Sequence, residues 1–405
     1  MVHGRLLVYS DTHESSATMQ IRLWGPLHSR GLELIHAHAW WDRHRGQAFA
    51  GDWSLDALII HRAVKRRCPV YPLLLAAARQ QRIPVIHDID DLLIRVPAEH
   101  PDHAVYQAKV GYALRPLLDA DAVVASTPPL AEELSVLHES VLVIANELPS
   151  ALWREACQRN LARGGAAAAD RVTVGYVASR THRPDLELVE EPLIGLLRQH
   201  AGRVRFVSLG VPLTPRLRRE PWVEEIRPSR RIARSYAEFV RFAATLRIDV
   251  GIAPLRDTPF NRCKSDVKFQ EYAALGAAGV YSDLPPYRGR VRNGENGLLA
   301  AEPSQWRDCL ERLVASADLR RRLASSAAGD LRAMWQAGRA GALWEELLQR
   351  ANDQLRSRPA RPPHPLAPIL GQMIEYQSGL ERSLKRTVEY QVGRTFSRLL
   401  RRLSA

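Results

Sequence analysis

Residues 248–299, IDVGIAPLRDTPFNRCKSDVKFQEYAALGAAGVYSDLPPYRGRVRNGENGLL, admit few folded arrangements. An apolar run at 248–253 stops at Pro254, a polar loop follows, and a helix is predicted from Ser265, placed to cap it, to Leu275, with Gly276 as its terminator. Strand, loop and helix in that order set unpaired backbone N–H groups and the positive helix end above the loop, where an anion is favoured. Lys264 adds a full positive charge there. Asn261, Lys264 and Ser265 thus outline a phosphate site, and Lys268 stands one turn further on. Glu271 lies five residues past Asp266, about 7 to 8 Å along the helix axis, roughly the span from a diphosphate to the ribose of one nucleotide. A carboxylate at that height can accept from two ribose hydroxyls. The competing explanation is an ordinary amphipathic helix whose Lys264 and Lys268 are simply solvated.

The same alternation runs along the chain. Strands are predicted at 5–9, 32–36, 57–61, 83–87, 119–126 and 141–145, then again at 172–178, 203–209 and 222–226, with helices at 18–29, 73–81, up to 199, and 236–245. Such an order builds a doubly wound parallel sheet, whose ligands bind beyond the carboxyl ends of the strands. Ser10, Asp11 and His13 fall at the first such end, where a solvated turn is the alternative. A length of 405 residues exceeds one ordinary core and suits two. The break between them is placed at 158–170, where RGGAAAAD interrupts the pattern. A hydrophobic share of 46% with 25% charged residues is that of a globular protein, and the net charge of +13 favours anionic partners without choosing among nucleotides, polyanions and membrane surfaces. The basic residues are spread and no nucleic-acid motif occurs, so a nucleic-acid partner is not expected. Cys68, Cys157, Cys263 and Cys309 show no CxxC spacing and are predicted to be reduced structural thiols, as in a cytoplasmic protein. The first apolar run is too short for a signal peptide to be expected, and nowhere do eighteen apolar residues follow one another, so no membrane span is expected.

The pattern around Pro254, Leu255, Phe260, Asn261, Lys264, Ser265, Lys268 and Glu271, followed by Gly276, Gly279, Ser282 and Asn293 to Leu299, resembles the donor-binding region of retaining glycosyltransferases with the GT-B fold, close to glycosyltransferase family 4. Glu271 matches the second of that family's two glutamates, and the first would fall at Cys263. The resemblance covers about residues 5 to 350. It implies an α/β architecture of two Rossmann-like domains facing across a cleft: an acceptor domain over 1–165, a nucleotide-sugar donor domain over 171–330, and a helical return segment over 331–355. In this class the leaving diphosphate meets fixed cations, so Lys264 and Arg180 are the expected catalytic groups, without a metal or cofactor. Donor contacts are expected from Asn261, Ser265, Lys268 and Glu271, and from the loop holding Ser179, Thr181 and His182, which resembles the family's "SGt.tH..Df" with Arg180 in place of glycine. On the acceptor side the resemblance implies Asp90 and Asp91, Arg22 on the first helix, and the turn of Ser10 and Asp11. Asp88-Ile89-Asp90 has the form of a metal-binding DxD triplet, but it matches the family's "iDDll" element, with Asp88 structural.

The activity so implied is transfer of a sugar, with retention, from a nucleotide-diphosphate donor to the hydroxyl of a glycan or lipid-linked acceptor, in cell-surface polysaccharide or glycan assembly. A sugar-nucleotide epimerase of the same fold and a scaffold without turnover are the alternatives. Two stretches stand outside the resemblance. Trp40, Trp41 and Trp53 with His36, His38 and His44 lack metal-ligand spacing and suit packing against a sugar acceptor or plain core burial. Beyond a linker at 356–369 with five prolines, residues 370–405 carry apolar positions at helical spacing among basic ones. That tail is expected to be a basic amphipathic helix docking on the inner membrane face or on a partner protein, with pairing to the same tail of a second chain and packing on its own first domain as the alternatives.

Overall fold

In the computed structural model, the described residues are 4–10, 12–37, 54–64, 70–164 and 171–357. Among them, short apolar runs form twelve strands in two sheets, parallel at each mapped pairing. The first sheet takes β1 (Arg5–Ser10), β2 (Glu33–His36), β3 (Ala57–His61), β4 (Val85–Ile89), β5 (Ala122–Ala125) and β6 (Val141–Val143), in the order β2-β1-β3-β4-β5-β6. The second takes β7 (Val172–Val177), β8 (Val204–Leu209), β9 (Val223–Ile226), β10 (Val250–Ala253), β11 (Ala278–Ser282) and β12 (Leu298–Ala300), in the order β12-β11-β10-β7-β8-β9. Helices cover both faces, so central strands such as β3 and β4 are buried at every residue, which is why they read as unbroken apolar runs. Strand order reverses at β1/β3 in one sheet and at β7/β10 in the other, and the carboxyl ends beside these points carry the loops that meet between the halves.

The helix Val267–Leu275 is held onto its sheet by one ring and one glycine. Gly251 in β10 has no side chain, and the Tyr272 ring fills that space: a Cβ there would lie 2.4 Å from it. The Tyr272 hydroxyl donates to the Ile252 carbonyl at 2.6 Å and accepts from the Val177 amide at 3.3 Å, tying the helix to β10 and β7. Gly276 ends it with φ of 68°, a left-handed conformation that a side chain would resist. The expected Ser265 cap is not formed. Asp266 is the N-cap residue and makes no side-chain cap bond, while the Ser265 hydroxyl accepts instead from Asn146 Nδ2 at 2.7 Å. A polar group across the cleft thus competed successfully with the helix end.

The predicted helix at 18–29 is present as one uninterrupted helical run from Ala17 to His28, with a π-helical turn Gln20–Trp24 between the pieces Ala17–Met19 and Gly25–His28. Pro26 has no N–H to give to the carbonyl four residues back, and the Gly25 amide bonds five residues back to Gln20, widening the turn. The break predicted at 158–170 is helical as far as Gly164, within the helix Ser150–Gly164, which packs Trp153, Ala156 and Cys157 into the core of the second half. The helix Arg339–Ser357 returns to the first sheet, where Trp344 is fully buried beside Leu6, Val8, Leu23 and Leu27, and Asn352 Nδ2 donates to the Asp56 carbonyl at 3.0 Å.

Arg22, inside the widened turn, is 1% exposed. Its Nη2 binds Asp88 Oδ1 at 2.5 Å, its Nε bonds the same carboxylate at 3.1 Å, and its Nη1 donates to the Ile144 carbonyl and to Asn146 Oδ1 at 3.0 Å. His61 Nδ1 completes the other Asp88 oxygen at 2.8 Å. Removing one partner of a buried pair leaves the other charge uncompensated. Arg22→Leu is therefore expected to cost about 3 to 5 kcal/mol of stability, measured by urea unfolding; a loss under about 1 kcal/mol would mean that Asp88 finds water or another cation.

Candidate active site

The loop after β10 is shaped from within. Ser282 at the end of β11 accepts from the Leu255 amide at 2.8 Å and so pins the chain just past Pro254. Asp185 then gathers two loops: Oδ1 accepts from the Arg256 amide at 2.8 Å and from Asn261 Nδ2 at 3.1 Å, while Oδ2 pairs with His182 Nδ1 at 2.8 Å. With its amide shared between Asp185 and the Arg256 carbonyl at 2.9 Å, Asn261 shapes the loop. Thr258 caps the short helix Pro259–Arg262 through the Asn261 amide at 3.1 Å.

That short helix turns Phe260 and Cys263 into the core of the first half, against residues such as Leu92, Leu93 and Leu130. Cys263 is 2% exposed, its carbonyl accepts from the Thr127 hydroxyl at 2.8 Å, and burial pushes its thiol up to about 11. The position where the resembling family has its first glutamate is thus an apolar contact between the halves, where an unpaired carboxylate would be costly to bury. Thr127 also caps the helix Pro128–Ser135, its hydroxyl accepting from the Leu130 amide.

Lys264 and Lys268 are both placed at this junction. Lys264 Nζ lies 4.6 Å from the centre of the Phe260 ring and 3.4 Å from Asp91 Oδ1, across the cleft. Lys268 Nζ donates to Glu271 Oε2 at 2.5 Å, and Glu271 is only 4% exposed. Burial works against the Asp91 carboxylate, but Lys264 and Arg62 beside it outweigh that and hold its pKa below the usual carboxylate value. Asp90 Oδ2 accepts from Arg62 Nη1 at 2.9 Å, and Arg62 Nη2 lies 3.7 Å from Asp91 Oδ2. Arg180 pairs with Asp102 of the first half, and the Ser179 and Thr181 hydroxyls bond each other at 2.7 Å. Desolvation, with Lys264 and Lys268 adding to it, lowers the pKa of His182 against the pull of Asp185.

The structure therefore brings Lys264, Arg180 and His182 together with Asp91 and Asp102, and sets Lys268 and Glu271 on the adjoining helix. It places Arg22 and Asp88 behind them, in the buried network of the first sheet. Ser10 is buried and closes a turn with Thr12, at 2.9 Å between hydroxyls, while Asp11 lies outside the described residues. So do Trp40, Trp41, Trp53, His38 and His44, and the tail from 358 onward. Arg62, His100 and Asp102 were not singled out by sequence. Arg62 directly follows β3, and that position at a strand end was its only signal; His100, edge-on to Phe260 at 5.6 Å, had none. Among the described residues, no three His, Cys, Asp or Glu side chains are placed to hold a metal ion, and no helix is long and apolar enough to cross a membrane. Cys157, Cys263 and Cys309 are free, buried thiols.

No protein-family model and no curated protein sequence matches the chain. Solved structures do match in shape. HepE from Anabaena, in complex with UDP and glucose, superposes with a TM-score of 0.57 at 12% identity over 85% of this chain and 99% of that one. Sucrose-phosphate synthase from Thermosynechococcus elongatus gives 0.53 at 14% over 85% and 100%, and α,α-trehalose 6-phosphate synthase from Burkholderia multivorans gives 0.55 at 14% over 89% and 100%. At such identities the likeness is one of fold. The chain has the two-domain, Rossmann-like GT-B fold.

Beneath the site, His87 is fully buried with Nε2 donating to the Arg62 carbonyl at 2.9 Å, and burial lowers its pKa to about 4 despite that bond and the nearby Asp88 carboxylate. An unfolded histidine takes up its proton near pH 6.5, so folding with His87 neutral is favoured in full above that value and progressively less as pH falls toward 4. His87→Gln is expected to reduce the slope of stability against pH between 6 and 5 by up to one proton, about 1.4 kcal/mol per pH unit. Urea unfolding of both proteins at pH 7, 6 and 5 measures it; parallel curves would place the titration on other groups.

Proposed function

We propose that the chain is a retaining glycosyltransferase that moves a sugar from a nucleoside-diphosphate donor to a hydroxyl acceptor. The observation that carries this is Lys264 at the entry of the helix Val267–Leu275, with Glu271 on that helix and the whole junction lying between the carboxyl ends of two parallel sheets. The GT-B fold, and UDP or UDP-glucose bound in HepE, support a nucleotide-sugar donor. As the bond from the anomeric carbon to the diphosphate breaks, its electron pair stays with the diphosphate oxygen. Lys264, Arg180 and the helix N-terminus are the positive groups that stabilise that charge, without a metal. Glu271 takes the ribose hydroxyls, with Lys268 orienting its carboxylate. Asp90 and Asp91 belong to the acceptor side, and the domain roles follow, acceptor in the first half and donor in the second. Cell-surface polysaccharide or glycan assembly at the cytoplasmic membrane face is the proposed setting, with the tail at 370–405 as the docking element.

One observation favours a second reading. With Cys263 buried where the resembling family has a glutamate, a scaffold that binds nucleotide without turnover shares the same pocket. Two measurements separate them. In a thermal-shift panel of UDP, ADP, GDP and CDP, a ligand at 100 times its dissociation constant should add about 2.7 kcal/mol of stability. Release of nucleoside diphosphate from the corresponding UDP-, ADP- or GDP-sugars then reports turnover, and stabilisation without release supports the scaffold.

Lys264→Ala is expected to lower turnover about 10² to 10³-fold while the protein stays folded; near-normal turnover would move the phosphate site elsewhere. Glu271→Gln should weaken nucleoside diphosphate several-fold, because a carboxylate accepts more strongly from hydroxyls than an amide does. Unchanged affinity, read by calorimetric titration, would leave Glu271 a structural partner of Lys268.

A further inference from the structure

The two cations assigned to the diphosphate are both already engaged, and in each case by an aspartate of the opposite half. Lys264 Nζ stands 3.4 Å from Asp91 Oδ1, and Arg180 pairs with Asp102. Both aspartates belong to the stretch that follows β4, and both cations to loops of the second half. Neither pair is built as a permanent tie. The Lys264–Asp91 separation exceeds the roughly 2.7–2.9 Å of a strong charge-assisted hydrogen bond, and the Arg180 side chain is 60% exposed. The contrast within the same molecule is Arg22–Asp88, in which both side chains are sealed from solvent and two guanidinium nitrogens hold the carboxylate.

Release of Asp91 does not orphan it. Arg62 lies 3.7 Å from its other oxygen and remains a partner when Lys264 turns to a ligand. The halves also keep other ties when these pairs part, since Gln270 and Asn146 bridge them through neutral hydrogen bonds. The two ion pairs are thus the contacts across the cleft that an anion can replace at low cost.

We infer that Asp91 and Asp102 are tethered competitors of the diphosphate: their carboxylates occupy Lys264 and Arg180, and a nucleoside diphosphate binds by displacing them, so these two residues set donor affinity. The inference rests on the phosphate site proposed above. A tethered carboxylate acts at a high effective concentration, so its removal strengthens, rather than weakens, the binding of a competing anion.

The test is calorimetric titration of the full chain with inorganic pyrophosphate and with UDP at low ionic strength. Asp91→Asn should tighten pyrophosphate about tenfold, and Asp102→Asn, whose pair is more exposed and better screened, about two- to threefold. Both gains should shrink with added salt. Lys264→Ala in parallel must weaken both ligands. If it does and Asp91→Asn leaves affinity unchanged or lower, the carboxylate is not a competitor and the inference falls while the phosphate site stands. If Lys264→Ala changes neither ligand, the phosphate site itself is wrong and the inference falls with it. Should Asp91→Asn not fold, Asp102→Asn decides alone: tightening of pyrophosphate supports the inference, and unchanged affinity overturns it.

Discussion

One fully buried amide is central to the register of the two halves. Gln270 is fully buried on the helix Val267–Leu275, and each of its polar atoms is used: Oε1 accepts from the Leu148 amide at 3.0 Å, and Nε2 donates to the Asn146 carbonyl and to Asp266 Oδ1, both at 2.9 Å. An unsatisfied amide there would cost more than the bonds return, so the helix has one position against the first half. Tyr272, two residues on, fixes the same helix to β10 and β7. The helix that carries Glu271 and follows Lys264 is thereby set from both sides, and the rest of the cleft inherits its geometry.

From Gln270 a polar chain runs into the first sheet. Asn146 gives its Nδ2 to Ser265 and takes Arg22 at Oδ1, and Arg22 in turn holds Asp88, which His61 completes. Burial opposes the charge on Asp88, yet the Arg22 guanidinium and His61 hold its pKa down to about 2. Such a sealed pair contributes little net stability but forbids alternatives, because neither charge tolerates the loss of the other. The outer ring of charges is of another kind. Lys264, Arg180, Asp91 and Asp102 are partly solvated, and their pairings can be exchanged.

Much of this was legible in the residues, and the reasons differ by element. Parallel strands buried on both faces have to be continuous apolar runs, so β3, β7 and β8 appear in the sequence almost to their ends. Gly276 and Thr127 act through local backbone chemistry and kept the roles their types predict. Where a side chain chose a distant partner, local reasoning lost it. Ser265 left the helix end for Asn146, 119 residues away in sequence, and Pro26 with the Gly25 amide set a π turn around Arg22 within the predicted helix.

The sequence alone determined the alternation of strand and helix and the gathering of Lys264, Lys268 and Glu271 around one helix, since each depends on spacing of a few residues, while the arrangement of two facing domains was implied by the family resemblance. Tertiary structure decided everything that depends on pairing across the cleft: that Arg62 stands between Asp90 and Asp91, that Cys263 is an apolar contact, and that Asp91 and Asp102 face Lys264 and Arg180. Ion pairs and buried hydrogen bonds are selected by position in space, and residues separated by 173 positions along the chain, as Asp91 and Lys264 are, share no local pattern from which their meeting could be read.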